Sequence, residues 1–481
     1  MDKAGLHQAC AQDLRDWIRR VDELGELRRV VGATWQEDIG LAGDVLNHSS
    51  KAPAVVFDRI PGYPEGHRVI VNCFGSLRRI ALTLGLPVDA NPQELVGLWQ
   101  QKLAQIVPIP PVFVSDAPVM ENVHERGDVD VLAFPVPKWH EFDGGRYIGT
   151  RSCDITRDPD EGWVNAGTYR VVVHDAKRVG FYISPGKHGR IHREKFFSRG
   201  EPCPVAVAIG ADPVLLLAAS AEVPYGLSEY DWAGGIKGEP IRVTTGKVTG
   251  LPIPVDAEIV LEGFASPQDC LLEGPFGEFT GYYASASRQE PVIEIEAIYH
   301  RNDPIISGIQ ISKPPDEHAL CEAFLRSAVI REALEGAGVP DVAGVWSHIG
   351  AGSFFIAVGI KQRYPGHARQ AGHVAAMCRG AAYMGRYVVV VDEDIDVTDL
   401  NEVVWAMCTR ADPAGAIDII HRAWSGPLDP AIHPDHKGFN SRAIIDACRP
   451  YEWKDRFPPV NQPSPEVRRK AMEKWGYLIG E

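Results

Sequence analysis

The chain has 481 residues, 45% of them hydrophobic, and a formal charge of −15. That length exceeds the roughly 250–300 residues a single core supports, so two or three domains are expected. The acidic balance disfavours nucleic acid and anionic membrane surfaces as partners, but leaves room for a small acidic ligand held by a few local arginines.

The first segment, residues 1–115, alternates helix and strand signals. Asp13 suits the N-cap of a helix carrying Leu14, Trp17, Ile18, Val21 and Leu24 at helical spacing, with Gly25 as its stop. Strands are expected at 54–57 and 68–72, a helix at 77–84, and another opening at Pro92. The proline-rich run 107–112 reads as an extended connector. From 116 to 311 short β-type runs dominate, at 167–174, 179–184, 205–209, 241–243, 258–261 and 292–299, and turns such as 158–162 separate them. Many short strands rich in Gly and Pro predict a closed or split β-barrel. A linking helix is expected within 312–338, and residues 339–481 return to α/β. There 387–391 reads as a strand buried on both faces, capped by Asp392, Glu393 and Asp394; helices follow at 400–407 and after Ser464-Pro465-Glu466. The fold class is therefore multidomain α/β around a central barrel.

The nine cysteines are odd in number and scattered, with no C-x-x-C pair, as expected for free thiols in a reducing cytoplasm. The polar, then amphipathic N-terminal stretch does not read as a signal peptide. The longest apolar run, 205–221, is interrupted by Gly210, Asp212 and Pro213, so no membrane span is expected. The sequon Asn47-His48-Ser49 has no consequence in a cytoplasmic protein.

Between Leu272 and Tyr282 the chain reads L-E-G-P-F-G-E-F-T-G-Y. Glu273 and Glu278 flank a Gly-Pro-Phe-Gly turn that cannot continue a helix, and a tight bend can aim both acids at one point. Carboxylates in different surroundings can be pushed to different pKa values, one keeping a proton while the other stays charged. Two such acids are more often solvated, but Phe276, Phe279, Tyr282 and Tyr283 around them argue for an enclosed site. Phosphate-loop, dinucleotide, zincin and nucleophile-elbow signatures are absent.

Three further segments lie in the barrel region: W-V-N-A-G-T-Y-R (163–170), P-G-K-H-G-R (185–190) and P-Y-G-L-S-E (224–229). Asn, His and Glu together form a mixed oxygen and nitrogen set, suited to Mn²⁺ or Mg²⁺ more than to zinc. Each has a plainer explanation alone: a turn asparagine, a solvated loop histidine, a helix-start acid. Spacing does not prove that they converge.

With these segments in hand, the chain resembles the UbiD family of reversible decarboxylases that use prenylated FMN. The likeness runs nearly end to end. It includes P-A-V-V-F-D (53–58), N-C-F-G-S-L-R-R (72–79), N-A-G-T-Y-R (165–170), P-G-K-H (185–188), Y-G-L-S-E-Y (225–230), L-E-G-P-F-G-E (272–278) and V-D-E-D-I-D-V (391–397). The resemblance implies that Asn165, His188 and Glu229 bind Mn²⁺ (or Mg²⁺), joining the cofactor phosphate to the protein, with Lys187 beside it. It implies K⁺ at Ala166, Ala219, Ala221 and Glu229. It implies a catalytic set of Glu273, Arg170 and Glu278, with Arg170 clamping the substrate carboxylate, a covalent substrate–cofactor adduct, and Glu278 as proton donor. A flavin prenyltransferase would supply the cofactor, CO₂ would be the co-product, and the third domain would support a homodimer or higher homo-oligomer.

The substrate side is expected at His318, Leu320, Cys321, Ile432 and His433. The segment 139–150, W-H-E-F-D-G-G-R-Y-I-G-T, resembles members acting on aromatic acids, so aromatic, heteroaromatic or α,β-unsaturated acids are the expected substrates. A flavin reductase and a non-catalytic subunit of a larger carboxylase complex are the competing expectations; the first lacks a dinucleotide fingerprint, and the intact Glu273/Arg170/Glu278 set argues against the second.

Overall fold

A computed structural model of the chain describes residues 9–479 apart from 50, 222, 285 and 353. The expected α/β–barrel–helix–α/β order is present. The helix Leu14–Glu23 is capped by the Asp13 side chain and buries Leu14, Trp17, Ile18 and Val21. The helix Pro92–Leu103 carries a capping box in which Asn91 and Glu94 satisfy each other's backbone amides. The first sheet runs Leu27–Val31, Ala54–Asp58, Arg68–Val71 and Ile305–Ser307 in spatial order. Its last strand lies inside the expected barrel segment yet pairs in parallel with Arg68–Val71, so the chain returns to the first layer before the linking helix begins.

The middle of the molecule is a nine-stranded antiparallel sheet curled into a half-barrel. Its spine is the long hairpin Ile259–Glu273 and Arg288–His300, paired from Ile259↔His300 to Glu273↔Arg288 with register shifts at Glu262/Gly263 and between Ala265 and Cys270. Both strands are longer than the apolar runs 258–261 and 292–299 foretold, because their outer ends carry polar residues on one open face. The run expected as one strand over 167–174 is broken. Val164–Gly167 and Val171–Val173 lie on different neighbours, and residues 168–170 between them turn into the interior.

The expected linking helix is Glu317–Gly336, and the Asp316 side chain caps it. The last sheet orders Val342–Ser347, Phe355–Ile360, Tyr387–Asp392, Phe439–Ala447 and Ile417–Trp424. Tyr387–Asp392 has parallel partners on both sides and Val388–Val391 are buried, as a continuous apolar strand requires. One hydrophobic cluster passes from Trp17 through Ile155 and Phe324 to Val389, tying the three segments together; a second fills the half-barrel around Tyr147, Phe181 and Phe276. At the junction of the segments Glu317 receives the amides of Asn72 and Phe74 and pairs with Arg151 at 3.1 Å. Among the described residues no helix is long and apolar enough to cross a membrane.

Candidate active site

The break after Gly167 points Arg170 at the end of the long hairpin. Its Nε and Nη2 donate to the two oxygens of Glu273 at 2.8 and 3.0 Å, and its Nη1 donates to Glu278 Oε1 at 2.5 Å. The three side chains are 9%, 2% and 8% exposed. One guanidinium therefore sits between two carboxylates away from water, where charge-assisted hydrogen bonds are strongest and an unpaired charge is most costly. Phe276 and Tyr182 face the guanidinium, 4.9 and 4.5 Å from its carbon; of the four aromatics noted in the sequence, Phe276 is the one that covers it. Tyr282 and Tyr283 instead stay exposed.

Glu273 closes the strand and Glu278 lies on the loop beyond it. That loop is held by Gly277 N–H donating to Asp143 Oδ1 at 3.0 Å and by Glu278 N–H donating to the Tyr282 carbonyl. Tyr147, buried, donates its hydroxyl to Glu273 Oε1 at 3.1 Å. The two acids thus differ: Glu273 receives Arg170 twice and Tyr147 once, Glu278 receives Arg170 once. Burial pushes the Glu278 carboxyl above its ordinary value, and Arg170 opposes that rise without cancelling it. Burial works against the charge of Arg170, but Glu278 and Glu273 outweigh it and hold the guanidinium protonated. Tyr147 and Asp143 were not singled out from the sequence; both lie in the segment 139–150, whose aromatics and acid gave no sign of where they would point.

The second constellation is nearby in the fold. Asn165 and Glu229 are buried, and His188 opens the helix His188–Ser198. Glu229 Oε2 receives the Ala166 amide at 2.7 Å, and its Oε1 lies 3.9 Å from His188 Nδ1. That gap is too long for a hydrogen bond but within the ~4.2 Å that two ligands about 2.1 Å from one ion can span. Among the described residues no three His, Cys, Asp or Glu side chains gather as a metal cage, so an ion held by this pair would have to take its third donor from elsewhere, and Asn165 offers an amide oxygen. Ala219 and Ala221 end the buried helix Pro213–Ser220, where carbonyls lack helical partners and the dipole is negative.

Asp154, on the strand beside Val164–Gly167, is fully buried; Oδ2 receives the Tyr169 amide at 3.0 Å and Oδ1 has no hydrogen-bond partner. Burial pushes its carboxyl up to about 8. The folded state then keeps a proton that the unfolded chain, with a carboxyl near 4, releases. Stability is full below about pH 4 and falls as pH rises toward 8. We expect Asp154→Asn, which keeps an acceptor for Tyr169, to be more stable than the parent at pH 8 by on the order of 2–5 kcal/mol, the gap closing toward pH 4. Urea unfolding at the two pH values checks this.

Family models match three stretches of the chain: the 3-octaprenyl-4-hydroxybenzoate carboxy-lyase N-terminal domain over residues 18–99, its Rift-related domain over 112–314 and its C-terminal domain over 320–447. The chain belongs to the UbiD family of carboxy-lyases. This UbiD-family chain is 34% identical over 475 residues to the phenolic acid decarboxylase of Bacillus subtilis, covering 96% of this chain and 98% of that protein. It is 30% identical over 488 residues to the pyrrole-2-carboxylic acid decarboxylase of Pseudomonas aeruginosa, covering 97% of each. Among solved structures it superposes on the UbiD-class enzyme HmfF from Pelotomaculum thermopropionicum in complex with FMN, with a TM-score of 0.85, 28% identity, and coverage of 98% of this chain and 100% of that one. An evolved dimeric form of HmfF in complex with prFMN matches with a TM-score of 0.81 and 28% identity, covering 95% and 98%.

The expected substrate-side residues divide. His318 stands at the start of Glu317–Gly336 with its ring 5.3 Å from that of Phe279, next to Glu278. Leu320 is half-buried, and Cys321 is buried in the main core, where burial pushes its thiol up. Ile432 and His433 lie on a loop of the last domain; His433 is 68% exposed, and its contacts are with Asp435 and His436 of that loop. Lys187 directly precedes His188 and places its ammonium 5.9 Å from the Tyr383 ring.

Proposed function

We propose that the protein is a non-oxidative decarboxylase, reversible in principle, of an aromatic or heteroaromatic carboxylic acid, working with prenylated FMN, a divalent cation and K⁺. The observation that carries this reading is the buried Glu273–Arg170–Glu278 cluster, in which Glu273 takes two hydrogen bonds from Arg170 and one from Tyr147 while burial pushes the Glu278 carboxyl up. The donor chemistry fits the implied cofactor. Asn165, His188 and Glu229 would hold Mn²⁺ (or Mg²⁺) at the positive end of a helix, with Lys187 alongside, where a phosphate is favoured. The carbonyls of Ala166, Ala219 and Ala221 with Glu229 would hold K⁺. When bound, the prenylated flavin supplies an electron sink for the carbanionic charge that CO₂ loss leaves.

The chain's own groups do the rest. Arg170 clamps the substrate carboxylate and fixes the angle of the bond to be broken. Glu273, held by Tyr147, keeps Arg170 in place and charged. Glu278, whose carboxyl burial pushes up, would take a proton and give it from a carboxyl oxygen to the carbon that has lost CO₂. Phe276 and Tyr182 keep water from the guanidinium. His318 and Phe279 would border the substrate ring, and the pyrrole- and phenol-acid relatives support that class.

The helix Pro465–Trp475 buries none of its own residues and leaves Val467, Met472 and Trp475 exposed. Packing of this helix against a second copy would cover them, which makes a homo-oligomer part of the reading.

Production with and without a flavin prenyltransferase tests the assignment. Protein made with the prenyltransferase should carry an absorbance distinct from oxidised FMN and release CO₂ from at least one member of a panel of hydroxybenzoates, pyrrole- and furan-carboxylates and cinnamate. Protein made without it should stay at background. Equal CO₂ release by both preparations would overturn the cofactor assignment.

A further inference from the structure

Tyr169 has no role in the reading so far, yet it touches the cation cluster at two points. Its hydroxyl oxygen accepts the Gly189 amide at 2.9 Å and lies 3.1 Å from Asn165 Nδ2, nearer than the 3.4 Å to Oδ1. Gly189 follows His188 in the first turn of the helix, so one hydroxyl joins the Asn165 strand to the histidine's helix. The ring has little freedom. A Cβ on Gly167 would fall 2.4 Å from the hydroxyl oxygen and one on Gly189 2.6 Å from a ring carbon, so only glycines allow the ring to sit between the two segments. The Tyr169 amide is fixed by Asp154.

An asparagine amide is nearly symmetric in shape, but a hard cation accepts only its oxygen. Asn165 Nδ2 has two acceptors, Tyr169 Oη and, at 3.5 Å, Thr156 Oγ1, which His192 Nδ1 approaches to 3.0 Å. With the NH₂ group directed at these oxygens, Oδ1 keeps only the longer 3.4 Å contact from the Tyr169 O–H, the weaker of the two, and is the atom a cation can claim. We infer that Tyr169 is a positioning residue: it sets the Asn165 amide so that Oδ1 faces the divalent cation and holds that ligand in register with His188. This inference rests on the proposed Asn165/His188/Glu229 cation site.

The test titrates Mn²⁺ into metal-free protein in the presence of saturating FMN, reading free Mn²⁺ by electron paramagnetic resonance. Outer-shell partners of metal ligands are worth about 10–100-fold in affinity. Tyr169→Phe, which keeps the ring, should weaken Mn²⁺ by about tenfold or more in a chain that still folds, its metal-free melting midpoint lowered only by the loss of an acceptor for the Gly189 amide. Asn165→Asp presents oxygen in either orientation, so in that background Tyr169→Phe should cost less than about threefold. An unchanged Mn²⁺ affinity in Tyr169→Phe, an equal loss in the Asn165→Asp background, or an unfolded Tyr169→Phe chain would each overturn the positioning role. Failure of the site itself looks different: wild-type protein would bind no Mn²⁺, or Glu229→Gln would bind it as tightly as wild type.

Discussion

Glu278→Gln is expected to lower decarboxylation by about 10²–10⁴-fold, the usual contribution of a positioned proton donor, while flavin and Mn²⁺ content stay at wild-type levels. Glutamine keeps the size of the side chain and an oxygen for the Arg170 Nη1–H, so the hydrogen bond that now spans 2.5 Å has a replacement. What it lacks is a transferable proton. Glu278 is also the member of the cluster whose carboxyl is pushed up, by burial first, against the opposing charge of Arg170. Its protonated form is the competent one, so kcat in the parent should hold at low pH and fall as pH rises through that raised pKa. Stopped-flow or CO₂-electrode rates across pH read this directly. Near-wild-type rates in Glu278→Gln would remove Glu278 as donor.

Arg170→Ala should be at least as damaging, and should also weaken the fold. Removing the guanidinium leaves Glu273 and Glu278 facing each other in a site where neither is more than 8% exposed. Breaking a buried pair in this way costs about 3–5 kcal/mol. Without Arg170 nothing opposes the burial that already pushes the Glu278 carboxyl up, and two acids face each other unpaired, so the stability loss should be largest at pH 8, where charge is most costly, and smaller near pH 5. For turnover, kcat/KM should fall by about 10³-fold or more, since the variant loses both the clamp and the charge that orients the substrate carboxylate. Arg170→Lys keeps the charge but cannot reach three carboxylate oxygens from one planar fork, and should recover stability before it recovers activity. Urea unfolding at the two pH values, with steady-state kinetics on both variants, separates the two effects.

The architecture was legible where short-range signals were strong. Asp13 before Leu14–Glu23, Asn91-Pro92 before Pro92–Leu103, and the continuous apolar run at Tyr387–Asp392 each carry their own start, stop or burial pattern. The L-E-G-P-F-G-E turn announced two acids aimed at one place, and the fold puts Arg170 between them. What pattern alone missed was long-range. Nothing around Ile305 says that it pairs with Arg68–Val71 across the chain. Nothing in T-Y-R says that the strand must break so that Tyr169 turns toward Gly189 and Arg170 toward the glutamates; β-type composition at 167–174 argued for continuity. Tyr147 and Asp143 went unnoticed because their value lies in what they touch, Glu273 and the Gly277 amide, rather than in any spacing. His433 shows the converse: a chemically capable residue in the sequence that the fold leaves on an exposed loop.

The most direct measurement is turnover in D₂O by wild-type protein loaded with prenylated FMN and Mn²⁺, followed by mass and NMR analysis of the product. One solvent deuterium is expected at the carbon that carried the carboxyl group, with loss of both CO₂ release and product deuteration in Glu278→Gln. Loaded wild-type protein that leaves every aromatic and heteroaromatic acid intact, or a Glu278→Gln variant that still places deuterium at that carbon at the parental rate, would contradict it.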